Sequence, residues 1–172
     1  MPDEKYIEQI RKTFGPALDI QPLLSQVSLQ EVRLLESSSY LKVDIDEFKV
    51  TNIEQSIYIE CHQNQERSII VLVFHLKLVG KSDTDDILLR VAAKYGAIYN
   101  IKTEGQIEQE IISKFSQLVG LNVVWPYWRE FVQTMTNRMG LPPLSLPLMR
   151  PGDLQFAKAH KENEVQEGTN DS

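Results

Sequence analysis

The chain has one cysteine, Cys61, in 172 residues, so no internal disulfide can form and a reducing compartment suits it. Basic residues are in the minority: 18 Lys and Arg against 24 Asp and Glu leave a formal charge of −6. A phosphate-binding surface needs the opposite balance, which argues against nucleic acid as the main ligand and against an anionic bilayer surface. Long apolar runs are lacking too. The longest, IIVLVF at Ile69–Phe74, is far short of a bilayer span, and the charged start MPDEKYIEQIRK has no signal-peptide core. The expectation is a soluble cytoplasmic protein without membrane insertion.

Residues for chemistry are equally scarce. A nucleotide loop needs a glycine five residues before its Gly-Lys pair, but ahead of Gly80-Lys81-Ser82 that position is His75. The stretch is expected to be a polar hairpin turn. The acidic cluster Asp83–Asp86 lacks the twelve-residue calcium loop with its central glycine. The histidines are His62, His75 and His160. Cys61 and His62 are neighbours on an expected strand, so their side chains point to opposite faces and cannot share a metal. A Cys61–His75 pair across a hairpin would be the basis of a small cysteine hydrolase, kept as a distant alternative. No catalytic residue, metal ligand or cofactor is assigned.

What is present is a normal globular composition, 42% hydrophobic and 24% charged. Tyr6, Ile7, Ile10 and Phe14 repeat at helical spacing, and Gly15-Pro16 ends that helix. A second helical stretch is expected over Leu18–Leu29. From about Val32 the period becomes two. Leu41, Val43 and Ile45 alternate with polar residues, as do Ile57, Ile59 and Cys61. Ser68–Val79 is β-branched and reads as a central strand covered on both faces. In Ile87–Ile101 every odd position is apolar, and the run exceeds usual strand length, so Gly96 is expected to mark a bulge or bend. Connections are short and polar, which implies antiparallel pairing. After Thr103 the pattern is helical. Ile107, Ile111, Ile112, Phe115, Leu118 and Val119 form a stripe closed by Gly120, with Asn122 as the next N-cap. Strands followed by helices give an α+β class: a four-stranded antiparallel sheet with the helices of the C-terminal half packed on one side and an extra helix at the N-terminus.

The segment VVWPYWREFVQTMTNRMGLPPLSL, Val123–Leu146, holds both tryptophans. Trp125, Trp128, Val132, Met135 and Met139 form one seam at helical spacing, and Val124, Tyr127 and Phe131 form a second beside it. Either both seams make one wide core stripe, or one seam faces another subunit or a client chain. Periodicity alone leaves both open.

Val124-Trp-Pro-Tyr-Trp-Arg-Glu130, followed by Leu141-Pro-Pro-Leu-Ser-Leu146, resembles the signature of the SecB family of protein-export chaperones. Lys94-Tyr-Gly-Ala-Ile-Tyr99 is similar to that family's glycine-containing end of strand four. The resemblance covers roughly Leu29 to Leu148. It implies an ATP-independent holdase assembled as a homotetramer, a dimer of dimers, that keeps unfolded preproteins export-competent for SecA and the Sec translocon. It also implies roles for residues. The tryptophan seam is a candidate oligomer interface, and Tyr95, Ile98, Tyr99, Leu144 and Leu146 are candidate client contacts. Pro126, Tyr127, Arg129 and Glu130 are the motif itself, the last two expected to have separate partners. The implied layout is an N-terminal helical extension over 1–26, a SecB-like domain over 27–150, and a short helix over Asp153–Glu164 with a disordered acidic tail within 151–172. The extension and the polar last segment depart from the usual export chaperone. They suit the alternative, a SecB-like chaperone dedicated to an antitoxin of a toxin–antitoxin module.

Overall fold

Four long strands dominate the computed structural model, which describes residues 20–42, 49–102 and 105–149. They are β1 (Val27–Leu41), β2 (Asn52–Asn64), β3 (Ile69–Lys81) and β4 (Ile87–Ile101), arranged β1-β4-β3-β2 with every neighbour antiparallel. Alternation sorts the side chains. The even positions of β3 from Ile70 to Leu78 and the odd positions of β4 from Leu89 to Ile101 are buried on one face. On that face lie α1 (Gln109–Phe115), a π-helical turn (Ser116–Gly120) and α2 (Leu121–Arg138), whose main sheet contacts are with β2, β3 and β4. Trp128, Phe74, Phe115, Leu72, Ile112 and Val124 close the layer, each roughly 1.5–3 kcal/mol of burial.

Several expectations are corrected. The other face of β3 has no helical cover among the described residues, and Val71 and Val73 there are half-exposed. Gly96 does not break β4, whose pairing runs through it on both sides. The register shifts fall instead on β1, at Leu29/Glu31 and Leu34/Glu36, and at the hairpin end of the β3–β4 pairing, between Gly80 and Lys81. Gly96 is there for space, since a Cβ on it would stand 3.1 Å from Leu35 Cδ1. Gly120 does not stop a helix either. It is helical, and its missing side chain lets the π turn approach β3, where a Cβ would lie 2.7 Å from Leu72 Cδ1 and 2.9 Å from Phe74 Cζ. Asn122, read as a cap, lies inside α2 and donates from Nδ2 to the Leu118 carbonyl at 2.7 Å. The expected Leu18–Leu29 helix is helical only at 20–24 among the described residues, and β1 starts at Val27. The expected helices at Asp3–Phe14 and Asp153–Glu164 and the acidic tail lie outside the described residues.

Both hairpin turns satisfy themselves. Between β2 and β3, Asn64 Oδ1 accepts from the Arg67 amide at 3.0 Å and Ser68 takes φ +49°. Between β3 and β4, Ser82 Oγ accepts from the Thr84 and Asp86 amides, both at 3.2 Å, while Lys81 Nζ holds Glu54 and Asp85. Gly80-Lys81-Ser82 is therefore an occupied turn, with its donors used locally.

Candidate polypeptide-binding site

The tryptophan seam turns inward. Trp125 is 7% exposed, Trp128 1% and Val132 0%, while Met135 and Met139 pack half-buried at the margin of the same core. Val124 is buried beside them, and the Phe131 ring stacks on Trp128 with centroids 6.1 Å apart. The two seams thus merge into one stripe on the protomer's own sheet. The exposed side of α2 consists of Asn122, Pro126, Tyr127, Glu130, Gln133, Asn137 and Arg138, apolar only at Pro126 and Tyr127. In this protomer Trp125, Trp128 and Val132 leave almost no surface for a neighbour. The wide-core reading describes them.

The motif's polar atoms work on the loop that follows. Past α2, Gly140 takes φ +76°, a conformation that favours glycine, and the chain turns back along the helix. Trp125 Nε1 donates to the Pro147 carbonyl at 3.0 Å and Arg129 Nε to the Leu146 carbonyl at 2.7 Å. Thr136 Oγ1 accepts from the Leu144 amide at 3.0 Å and donates to the Val132 carbonyl at 2.9 Å. Arg129 and Glu130 do have separate partners, for Glu130 Oε1 accepts from Thr134 Oγ1 at 2.9 Å. Leu146 is 4% exposed and part of the core, Leu144 is half-buried, and Leu148 is 70% exposed. Pro126 lies within α2 on its exposed side, beyond the first turn, and has no amide to donate along the helix axis.

The candidate client contacts on β4 are split by the pleat. Tyr95 and Tyr99 lie beneath the helices at 5% and 3% exposure, and Ile98 is half-exposed on the opposite face. The Tyr95 hydroxyl donates to the Tyr127 carbonyl at 3.3 Å. Burial pushes its pKa up to about 12, helped by the negative charge of Glu130. Tyr99 meets Phe115 edge-on at 5.0 Å, and its buried hydroxyl has no partner. Burial alone raises it to about 12.

The open face of the sheet carries a shallow groove of about 420 Å3, with Ser38, Ser56 and Ala92 on its floor. A polar row crosses all four strands along one edge of it: Tyr58, His75, Lys94 and Glu36 are successive partners in register. Lys94 Nζ meets Glu36 at 2.6 Å, and His75 Nε2 meets Glu60 at 2.6 Å. The Lys94 hydrogen bond and charge hold the Glu36 carboxyl below its usual value. At Glu60 burial pushes upward, but hydrogen bonds from His62 and His75 outweigh it and the carboxyl is lowered.

Cys61 pairs with Leu72 in register and so faces the helices, whereas His75 pairs with Tyr58 on the open face. The sheet separates thiol from imidazole, and burial raises the Cys61 thiol despite a Ser116 hydrogen bond. The hydrolase alternative is thereby excluded. Among the described residues no three His, Cys, Asp or Glu side chains gather as a metal site, and no helix is long and apolar enough to cross a membrane.

Two things escaped sequence reasoning. One is Thr136, a buried hydroxyl in the helix that holds the loop, signalled only by a threonine at a core spacing. The other is the pair Gln63 and Gln109, which tie the chain after β4 to the β2 edge. Gln63 donates to the Gly105 carbonyl at 3.0 Å and accepts from the Ile107 amide at 3.0 Å, and Gln109 Nε2 donates to the Cys61 carbonyl at 3.2 Å.

No family model matches the chain. It is similar to the SecB-like chaperone SmegB of Mycolicibacterium smegmatis, 30% identical over 67 residues, 39% of this chain. That match spans about half the length of SmegB, 46%. It is also similar to the protein-export protein SecB of Cellvibrio japonicus, 25% identical over 125 residues, 71% of this chain and 72% of that one. In fold it resembles the Mycobacterium tuberculosis SecB-like chaperone Rv1957, solved in complex with a peptide of the HigA1 antitoxin. The TM-score is 0.70 at 17% identity, over 77% of this chain and 97% of that one.

Proposed function

Because the chain matches the SecB-like chaperones in sequence and in fold, we propose that it is an ATP-independent cytoplasmic holdase for extended, non-native polypeptide, with an antitoxin segment as its client. The observation that carries this reading is the fold agreement over 97% of a chaperone solved with an antitoxin peptide. Exposed Tyr127 beside the loop, with exposed Leu148 and half-buried Leu144 on it, are the proposed first contacts. A net charge of −6 keeps such a surface soluble and attracts basic client segments. Release then follows from client folding or hand-over rather than nucleotide turnover.

A second reading, delivery of unfolded preproteins to SecA, draws on the similarity to an export SecB over 71% of the chain. Light scattering tests the shared part. A chemically unfolded model client is diluted into the full-length protein without nucleotide, and near-stoichiometric amounts should suppress aggregation. No protection at any ratio would reject both readings. The antitoxin reading expects a toxin–antitoxin pair among the gene's neighbours, and that antitoxin should displace the model client where a preprotein segment does not. The reverse order, with SecA co-purifying, would favour export.

A further inference from the structure

Three side chains of α2 treat the loop over 141–149 as they would treat a bound peptide. Thr136 takes the Leu144 amide, Arg129 the Leu146 carbonyl and Trp125 the Pro147 carbonyl. The loop has no secondary structure of its own, and prolines at 142, 143 and 147 remove three of its amides. One side chain, Leu146, is sunk to 4% exposure while Ser145 and Pro147 on either side of it face water. Fixed polar groups on the backbone and one apolar anchor in a socket are the two parts of extended-peptide recognition. Resting on the chaperone reading above, we infer that this loop is a strap occupying a peptide-binding site in cis. An extended, leucine-bearing segment of a non-native polypeptide takes its place.

The contacts themselves permit the exchange. All three hydrogen bonds read backbone atoms, which any extended chain offers, and only the leucine is read by its shape. Gly140 at φ +76° supplies the point about which the strap leaves α2. The prolines keep the released strap extended, so little conformational entropy is gained on release and little is lost on return. While the strap is seated the site is filled, and apparent client affinity falls by the fraction of molecules in which it is free.

A fluorescein-labelled peptide with the strap's own sequence, residues 141–149, tests this on the full-length protein without needing any client. Leu144→Pro removes the strap amide that Thr136 accepts, and Leu146→Ala withdraws the anchor; both changes lie on the strap and leave the side chains of α2 intact. Both variants should bind the peptide at least about fivefold more tightly than the parent, the order of one lost hydrogen bond. Strap amides should exchange hydrogen faster in both, with α2 amides unchanged. Equal peptide binding by all three proteins, with faster strap exchange in the variants, would overturn the inference and make the loop a brace. A peptide with aspartate in place of the anchoring leucine should not bind; if it binds equally, the socket is not the site. An unfolded client should displace the labelled peptide. Leucine-dependent peptide binding without that displacement would keep the site and reject the chaperone reading.

Discussion

Tyr95 and Tyr99 lie on the same face of β4, but their hydroxyls end differently. The Tyr95 hydroxyl has the Tyr127 carbonyl at 3.3 Å, while that of Tyr99 is buried against Phe115 with no partner. A buried hydroxyl with no partner pays its desolvation without return, so Tyr99→Phe should be neutral or raise stability by up to about 1 kcal/mol. Tyr95→Phe should lower it by about the same amount, since it strands the advantage of a formed bond. Urea unfolding of the two variants ranks them, and a Tyr99→Phe protein less stable than Tyr95→Phe would contradict the hydroxyl assignments. Both groups are raised from 10.0 to about 12. The folded chain therefore keeps protons that the unfolded chain has begun to lose, and stability must fall as pH rises above 10. The double phenylalanine variant should lose the tyrosines' share of that alkaline slope, while Lys81 and Lys94, held up by their carboxylate partners, keep the remainder.

At the scale of elements, the π turn Ser116–Gly120 fixes how closely the helical layer approaches the sheet, and Gly120 is its closest point. Alanine there would gain about 1 kcal/mol of helix propensity on an exposed helix. Here its Cβ would meet Leu72 and Phe74, both fully buried, at 2.7 and 2.9 Å. Overpacking of that kind costs about 1–3 kcal/mol, so Gly120→Ala should be net destabilising by about 1 kcal/mol in urea melts. A raised midpoint would show that the approach has slack. This glycine also illustrates what the sequence made legible. Period-two runs marked β2 and β4, the β-branched run marked β3 and the period near 3.6 marked the helices, because these patterns are set locally. The alternation of Leu41, Val43 and Ile45 instead leaves β1 at its last residue and passes outside the described residues. Gly96 and Gly120 are different: local pattern alone implies a bend at one and a stop at the other, and the structure has neither. Each is there to admit a side chain from another strand, Leu35 in one case and Leu72 with Phe74 in the other. A local pattern carries no information about such a partner. The same limit hid the site. The aromatic motif was visible as an apolar stripe, but the hydrogen bonds of Trp125, Arg129 and Thr136 depend on the strap folding back, which Gly140 permits without announcing its direction.

For the whole molecule, the question is what another copy would cover. Trp125, Trp128 and Val132 are buried within one protomer, so a larger exposed apolar surface is the stronger candidate for association. The helices make their main contacts with β2, β3 and β4, and β1 is left at the margin. Leu29 and Leu34 pair in register with Tyr99 and Tyr95, and so lie on the helix-covered face, yet they are 45% and 49% exposed. Together with the outer edge of a strand spanning Val27–Leu41, unpaired among the described residues, they form an apolar margin that a soluble protein does not normally leave to water. The expected homotetramer would use this margin rather than the tryptophan seam. Sedimentation equilibrium should then give a mass near four times the 19.8 kDa chain. Placing charge on the margin with Leu29→Lys and Leu34→Lys should lower that mass without changing the far-ultraviolet circular dichroism or the emission of Trp125 and Trp128. A parent protein that sediments as a single chain at micromolar concentration would reject the assembly. A double variant that keeps the full mass would reject β1 as its seam, leaving Tyr127 and the outward face of α2 as the surface to alter next.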